Sequence, residues 1–412
     1  MNISPSHRAA TIVASLVLAG GLTLSGCASG TEDATSTTSA STTSAATVDD
    51  SSLTSPDSET SAGTITATAD AAEQFLDTLT DEQREAVVYA YDDETKTTSW
   101  SNFPVTFVDR AGLNLTDLDS EQRRAAMAVL EALLSDDGYD TVTGIIGGDQ
   151  FLLDNSSSSE DSLGQYYIAF FGDPSDSQAW QVQFGGHHLG INATLNGADA
   201  SITFAPTHLG AQPAVYTDAD GNEVQSLSGM YETAFAFYDS LTEEQRAQLY
   251  QGSNVSNLVC GAGDTCDYPS GTGIAGADLT DEQKELLLDV VANWVGMSDP
   301  ETTAAALSEI EATLDQTYVN WSGATEYDMS QGNGIYFQIS GPDVYIEFSN
   351  QQGSAGADVD GYTTSGWGHI HTIYRDPTND YAGSVTQQEA SGMGGGPGGA
   401  NGPGGPGGPP GN

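Results

Sequence analysis

Phe75-Leu76-Asp77-Thr78-Leu79-Thr80-Asp81-Glu82-Gln83-Arg84 returns as Phe237-Tyr238-Asp239-Ser240-Leu241-Thr242-Glu243-Glu244-Gln245-Arg246, with seven of ten positions identical, and the recurrence decides the fold. A second pair follows in the same order: Asp117-Leu118-Asp119-Ser120-Glu121-Gln122-Arg123 and Asp278-Leu279-Thr280-Asp281-Glu282-Gln283-Lys284. Each of the four reads as a helix start. Thr80, Asp119, Thr242 or Thr280 caps the first turn, and the Gln three residues on reaches back to the cap's own N–H. The carboxylates of these turns serve the helix dipole, not catalysis.

Helical spacing continues through Val129, Leu130, Leu133 and Leu134 in one half and Leu286, Leu287, Val290, Val291 and Trp294 in the other. Both halves then change period. Tyr166 to Phe171, a Gly172/Pro174 turn and Trp180 to Phe184 read as a hairpin, matched by Ile335 to Ile339, Gly341-Pro342 and Val344 to Phe348. The predicted fold class is α+β: internally duplicated helix-helix-β-hairpin units packed about a pseudo-twofold axis, with Arg84 over Arg246 and Phe184 over Phe348.

The two ends of the chain carry different signals. An apolar run from Ala9 to Leu24 behind His7 and Arg8 reads as a signal-peptide core, too short for a confident membrane span. It closes on Leu24-Ser25-Gly26-Cys27, which resembles the lipobox of bacterial lipoproteins, in which the cysteine is lipidated and the preceding residues are removed. The organisation expected is a lipoprotein signal over 1–26, a disordered Ser/Thr-rich stalk over 27–71, a body over 72–390 (halves about 72–230 and 231–390) and a disordered Gly/Pro tail over 391–412. The protein should be extracytoplasmic and held at the cell membrane by its N-terminal lipid.

With 58 acidic residues against 9 basic ones and a formal net charge of -49, the surface repels nucleic acid, which excludes that partner. The plain meaning of the excess is solubility; concentrating cations is the sharper one. Lysine occurs only as Lys96 and Lys284, so lysine-dependent chemistry has almost no candidates.

Four segments carry a family resemblance: Trp100-Ser101-Asn102-Phe103-Pro104, Arg110-Ala111-Gly112-Leu113, Gly185-Gly186-His187-His188-Leu189, and Arg375-Asp376-Pro377-Thr378-Asn379-Asp380-Tyr381. In this order they resemble the bacterial family known as domain of unknown function 3500. The resemblance implies no reaction, only that the double-histidine and Arg-Asp-Pro segments matter.

Beyond the signal there are five histidines: His187, His188, His208, His369 and His371. If His369-Ile370-His371 is a strand, its two imidazoles share a face and form a two-point clamp. His187 and His188 are adjacent, so an extended chain would send them to opposite faces, and one at most joins the clamp unless the glycines before them bend the chain. Three histidines with an open position suit catalytic zinc, and copper accepts a similar set. The competing reading is of core or turn histidines bonded to backbone carbonyls, and His208 is the weakest ligand candidate. Arg375 is either an anion or substrate clamp or, more plainly, the partner of Asp376 or Asp380. Cys260 and Cys266 read as a small structural disulfide loop. Gly271-Thr272-Gly273-Ile274-Ala275-Gly276 has the letters of a dinucleotide fingerprint without the βαβ context, and is set aside.

Three functions compete. One is a lipoprotein binding a divalent transition metal, zinc or copper. Another is a metal-dependent hydrolase or oxidoreductase using the same histidines. The third is a cell-envelope polymer-binding or scaffold lipoprotein that stacks ligands on Trp100, Trp180, Trp321 or Trp367.

Overall fold

All four capped starts open helices, and in each the cap side chain and the Gln three residues on make the reciprocal pair of hydrogen bonds. The computed structural model describes residues 59–158, 163–252, 257–262, 266–354 and 356–385. The signal segment, Cys27, the Gly/Pro tail and the stalk up to residue 58 lie outside them. The helices are α1 (Ser61–Asp77), α2 (Asp81–Val87), α3 (Ser120–Leu133), α4 (Asp136–Asn155), α5 (Ser228–Ser240), α6 (Glu243–Leu249), α7 (Asp281–Val295) and α8 (Pro300–Thr313), with a further turn at Thr95–Thr98.

Helix α1 corrects the stalk boundary, because it begins at Ser61 and not at 72. Its Ser/Thr/Ala composition looks unable to bury a core, yet Ser61, Thr64, Ile65, Thr68, Ala69 and Ala72 are all buried, and the helix packs on α3. Small side chains allow that close approach. The cost of burying hydroxyls is offset locally, as where the Thr68 hydroxyl donates to Thr64 O at 2.7 Å.

Eight strands form the main sheet: β1 (Tyr167–Phe171), β2 (Ala179–Gly185), β3 (Leu189–Asn196), β4 (Thr207–Ala211), β5 (Tyr318–Gly323), β6 (Ile335–Ser340), β7 (Tyr345–Asn350) and β8 (Ile370–Arg375). Their order is β1-β2-β3-β4-β8-β7-β6-β5, every neighbour antiparallel, so two four-stranded meanders meet at β4 and β8. Short strands extend the edges: Val88–Tyr89 runs parallel to β1, Leu113–Asn114 antiparallel to β1, and Ile274–Ala275 antiparallel to β5. The fold is α+β.

The two predicted hairpins take different positions in their meanders. β1 is the outer strand of its meander and follows two helices, and β5 holds that place in the second half, not β6. Phe184 lies on β2, the second strand of its meander, and Phe348 on β7, the third strand of the other.

The sheet separates two layers. On one face Trp180, Phe184, Ile191, Phe337, Phe348 and Ile370 pack with Phe75, Leu130, Leu287 and Trp294 of the helices in the main core. Trp294 Nε1 donates to Thr372 Oγ1 at 3.0 Å, fixing α7 to β8. Strand alternation sends His371, Ile373 and Arg375 to the other face. There a smaller cluster gathers Ile373, Tyr345, Trp100, Tyr268, Tyr381 and the Cys260–Cys266 disulfide, whose Cα atoms are 5.2 Å apart. The disulfide loop is held by Glu347, whose carboxylate accepts from Val259 N and Cys260 N, each at 2.8 Å.

Candidate metal centre

His187 and His188 occupy the tip of the β2–β3 hairpin, where Gly186 N donates to Leu189 O at 2.8 Å. A turn this tight requires glycine at its entry: a Cβ on Gly186 would stand 2.5 Å from Gln165 O, and one on Gly185 would stand 2.2 Å from Leu189 O. The two histidines are thus turn residues and not strand residues. Their rings lie side by side, centroids 4.2 Å apart and 21° from parallel. This meets the condition on which both could join a site, that the glycines before them bend the chain.

His369 and His371 reach the same place from β8. His371 stands opposite Gly210 in the β8–β4 ladder, where the absent side chain leaves room for an imidazole. His369, just before the strand, brings its Nε2 to 3.2 Å from His371 Nε2. One nitrogen each of His187, His188 and His371 lies within 4.8 Å of the others, so this buried group could hold a metal ion. The four rings are at most 8% exposed.

Hydrogen bonding prepares two of these rings as ligands. Asp149 on α4 sits with its Oδ1 2.5 Å from His188 Nδ1, while its Oδ2 accepts from Tyr166 at 2.7 Å. A proton on His188 Nδ1 leaves Nε2 with its lone pair free. His369 Nδ1 donates to Gly353 O at 2.8 Å, which likewise frees its Nε2. Among the described residues three buried side-chain polar atoms have no partner, and two of them are His188 Nε2 and His187 Nδ1. Leaving such an atom unpaired costs about 1–3 kcal/mol, which points to a missing partner for the two together.

His371 holds the variable proton. With Asn102 Nδ2 donating to His371 Nδ1 at 3.2 Å, the proton sits on Nε2 and faces His369. Turning the Asn102 amide over keeps the same shape and offers Oδ1 to an Nδ1–H instead. Both Nε2 atoms are then bare, at a spacing close to the roughly 3.4 Å edge of a tetrahedron of nitrogens about 2.1 Å from zinc.

Burial keeps the cluster neutral. It lowers His188 to about 3 and His208 and His369 to about 4, and pushes His187 and His371 well below the ordinary histidine value, with neighbouring imidazoles adding to the effect on all but His208. Burial also raises Asp149 to about 6, with His187 and the Tyr166 hydrogen bond opposing. At neutral pH the pair is therefore carboxylate and neutral imidazole, the state that ligation needs.

His208 does not offer a ligand atom. Its Nδ1 lies 2.7 Å from Thr372 O and its Nε2 3.3 Å from His187 O, so both nitrogens face backbone carbonyls and the one N–H of the neutral ring donates to one of them. Arg375 is not a substrate clamp: its Nε and Nη2 both reach Asp380 Oδ2 at 2.8 Å in a buried ion pair, with Asp380 and not Asp376 as partner. Trp100, Trp180, Trp321 and Trp367 are all at most 2% exposed, which removes them as stacking surfaces. Asp149 and Tyr166, which no sequence motif marks, belong to the site, and Asn102 and Arg110, which carry the family resemblance, support it. The Arg110 guanidinium collects Ser101 O at 2.8 Å, Phe103 O at 2.5 Å and Gly186 O at 2.9 Å, tying the Asn102 segment to the histidine turn.

The model of the family described as "Protein of unknown function (DUF3500)" matches residues 61–383, most of the chain, and the protein belongs to that family. No curated protein and no solved structure matches it.

Proposed function

We propose that this family member is a lipid-anchored extracytoplasmic protein that binds one divalent transition metal ion, zinc or copper, through His187, His188, His369 and His371. The observation that carries the reading is the pair of unpartnered buried nitrogens, His188 Nε2 and His187 Nδ1, beside His371. A donor set of neutral imidazoles without thiolate suits zinc or copper better than magnesium or calcium. The hydrolase or oxidoreductase alternative needs an open coordination position, and four enclosed rings favour holding an ion over turning over a substrate.

Metal analysis of the purified chain tests the reading. The expected result is one zinc or copper per chain, falling below about a tenth in His371→Ala while the chelated variant still melts cooperatively. A metal-free wild type that stays empty after reconstitution with either ion overturns it. The anchor is tested separately: Cys27→Ser should move the protein from membranes to the soluble fraction with its melting temperature unchanged. Persistent membrane association would count against the lipid.

We further infer that the body is a duplication matched as α1–α4/β1–β4 with α5–α8/β5–β8. Gln83 and Gln122 exchange side-chain hydrogen bonds, as do Gln245 and Gln283. Gly112 and Gly273, both at positive φ, would each bring a Cβ to 1.9 Å from a strand carbonyl, Ile168 O on β1 and Val319 O on β5. These paired close approaches favour β5, and not β6, as the counterpart of β1. The metal site then lies at the seam, with His187 and His188 from one unit and His369 and His371 from the other.

A further inference from the structure

On the opposite side of β8 from His371, Tyr374 faces a cleft of about 350 Å³. Glu309 of α8, Asp343, Asp376 and Asn379 also line it, beside apolar walls from Ile202, Phe204 and Ala306. Tyr374 is only 5% exposed and, among the described residues, its hydroxyl has no hydrogen-bond partner. It is absent from the fully enclosed unpartnered atoms, so the hydroxyl opens onto the cleft. Asp376 is 6% exposed, and its Oδ1 is used by Thr378 N, Thr378 Oγ1 and Asn379 N, which leaves Oδ2 as its free acceptor. A buried phenol and a buried carboxylate oxygen, both unused and both on one apolar-walled cleft, form a polar end without a guest.

We propose that this cleft is a second binding site, separate from the histidines, for an organic cation carrying a primary ammonium on an apolar stem. The acceptors choose the charge: every titratable group named on the cleft is an acid or a phenol, and an ammonium donates three hydrogen bonds. Spacing argues against a bare divalent ion as the fitted guest, since among the described residues no three carboxylates converge within 4.8 Å as the histidines do. The apolar walls fit a hydrocarbon stem. Burial holds the Asp376 carboxyl up at about 6, so a cation brought to it restores an interaction that folding removed.

Calorimetric titration of the full chain with cadaverine at low ionic strength tests this. The expected result is saturable binding of one molecule per chain, weakened about tenfold by Tyr374→Phe and by Asp376→Asn, as for loss of a hydrogen bond to a charged group. Tyr374→Phe leaves the net charge unchanged, so it separates the cleft from diffuse attraction to an acidic surface. Should Asp376→Asn fail to fold, Tyr374→Phe and Glu309→Gln decide. Unsaturable binding, or equal affinity in wild type and Tyr374→Phe, overturns the proposal. Displacement of cadaverine by calcium chloride at matched ionic strength and equal affinity overturns the assignment of ligand class.

Discussion

Saturating the chelator-treated chain with zinc is expected to raise its unfolding free energy by about 4 kcal/mol once free zinc stands a thousandfold above the dissociation constant. The gain arises because the folded state alone presents His188 Nε2, His187 Nδ1 and His371 together, within 4.8 Å. In the unfolded chain the hairpin tip and β8 are far apart, so the same imidazoles offer no common site. Asp149 should set part of this affinity. It fixes the His188 tautomer and leaves its negative charge behind the ligand, an arrangement whose loss elsewhere costs about 10–100-fold in metal affinity. Asp149→Asn keeps an acceptor for His188 Nδ1 and removes the charge, so at the same free zinc its stabilisation should be smaller by about 1.4–2.7 kcal/mol. Chemical denaturation with and without metal measures both. A wild type indifferent to zinc and to copper sinks the metal reading, whereas identical gains in wild type and Asp149→Asn sink only the role given to Asp149.

What the sequence disclosed was local. A capping box occupies four consecutive residues, so all four helix starts could be read from the letters, and they open helices where expected. Sheet order is not local. Tyr318-Val319-Asn320-Trp321-Ser322-Gly323 forms a strand although Asn320 and Ser322 interrupt its apolar residues. Both polar side chains are buried, and Asn320 donates to Gln338 Oε1 at 3.0 Å, a partner 18 residues away that the strand's own letters do not show. The histidines stood out because so few residues of that type occur, but their joint use depended on a turn and not on strand parity. Asp149 had a signal that went unread. It continues the buried stripe Val142, Ile145, Asp149, Leu152 of α4, and a carboxylate on such a stripe demands a partner. Asn102 and Arg110 had none, because their roles come from carbonyls and a ring nitrogen brought in by other segments.

The metal-free chain should lose stability between pH 7 and pH 5, by roughly 2 kcal/mol for each buried histidine before buried carboxyls offset part of it. An unfolded histidine takes up a proton below about 6.5, whereas burial keeps His188 neutral down to about 3 and His208 and His369 down to about 4. His187 and His371 are pushed in the same direction. Between these limits the unfolded state binds more protons, so stability falls as pH falls; above 6.5 both states are neutral and the histidines contribute no slope. Each such group contributes about 1.4 kcal/mol per pH unit inside its window, roughly 2 kcal/mol by pH 5. Four carboxyls oppose the trend, because burial also raises Glu347 and Asp380. Asp149 and Asp376, both raised to about 6 by burial, keep protons in the folded state that the unfolded chain gives up, so between about 6 and 4 their contribution improves as pH falls. Five lowered histidines stand against four raised acids, so the net slope keeps the histidines' sign while the acids take back part of the loss. Urea unfolding of the chelated chain at pH 7, 6 and 5 is the measurement, and a flat profile would mean that the folded imidazoles take up protons as readily as free ones. Zinc should counter the loss down to the pH at which protons displace it, because an imidazole bound to metal cannot protonate at its ligating nitrogen. The sharpest contrast between loaded and empty protein is therefore expected near pH 6 to 5, where the unfolded histidines are already charged and the folded ones are still neutral.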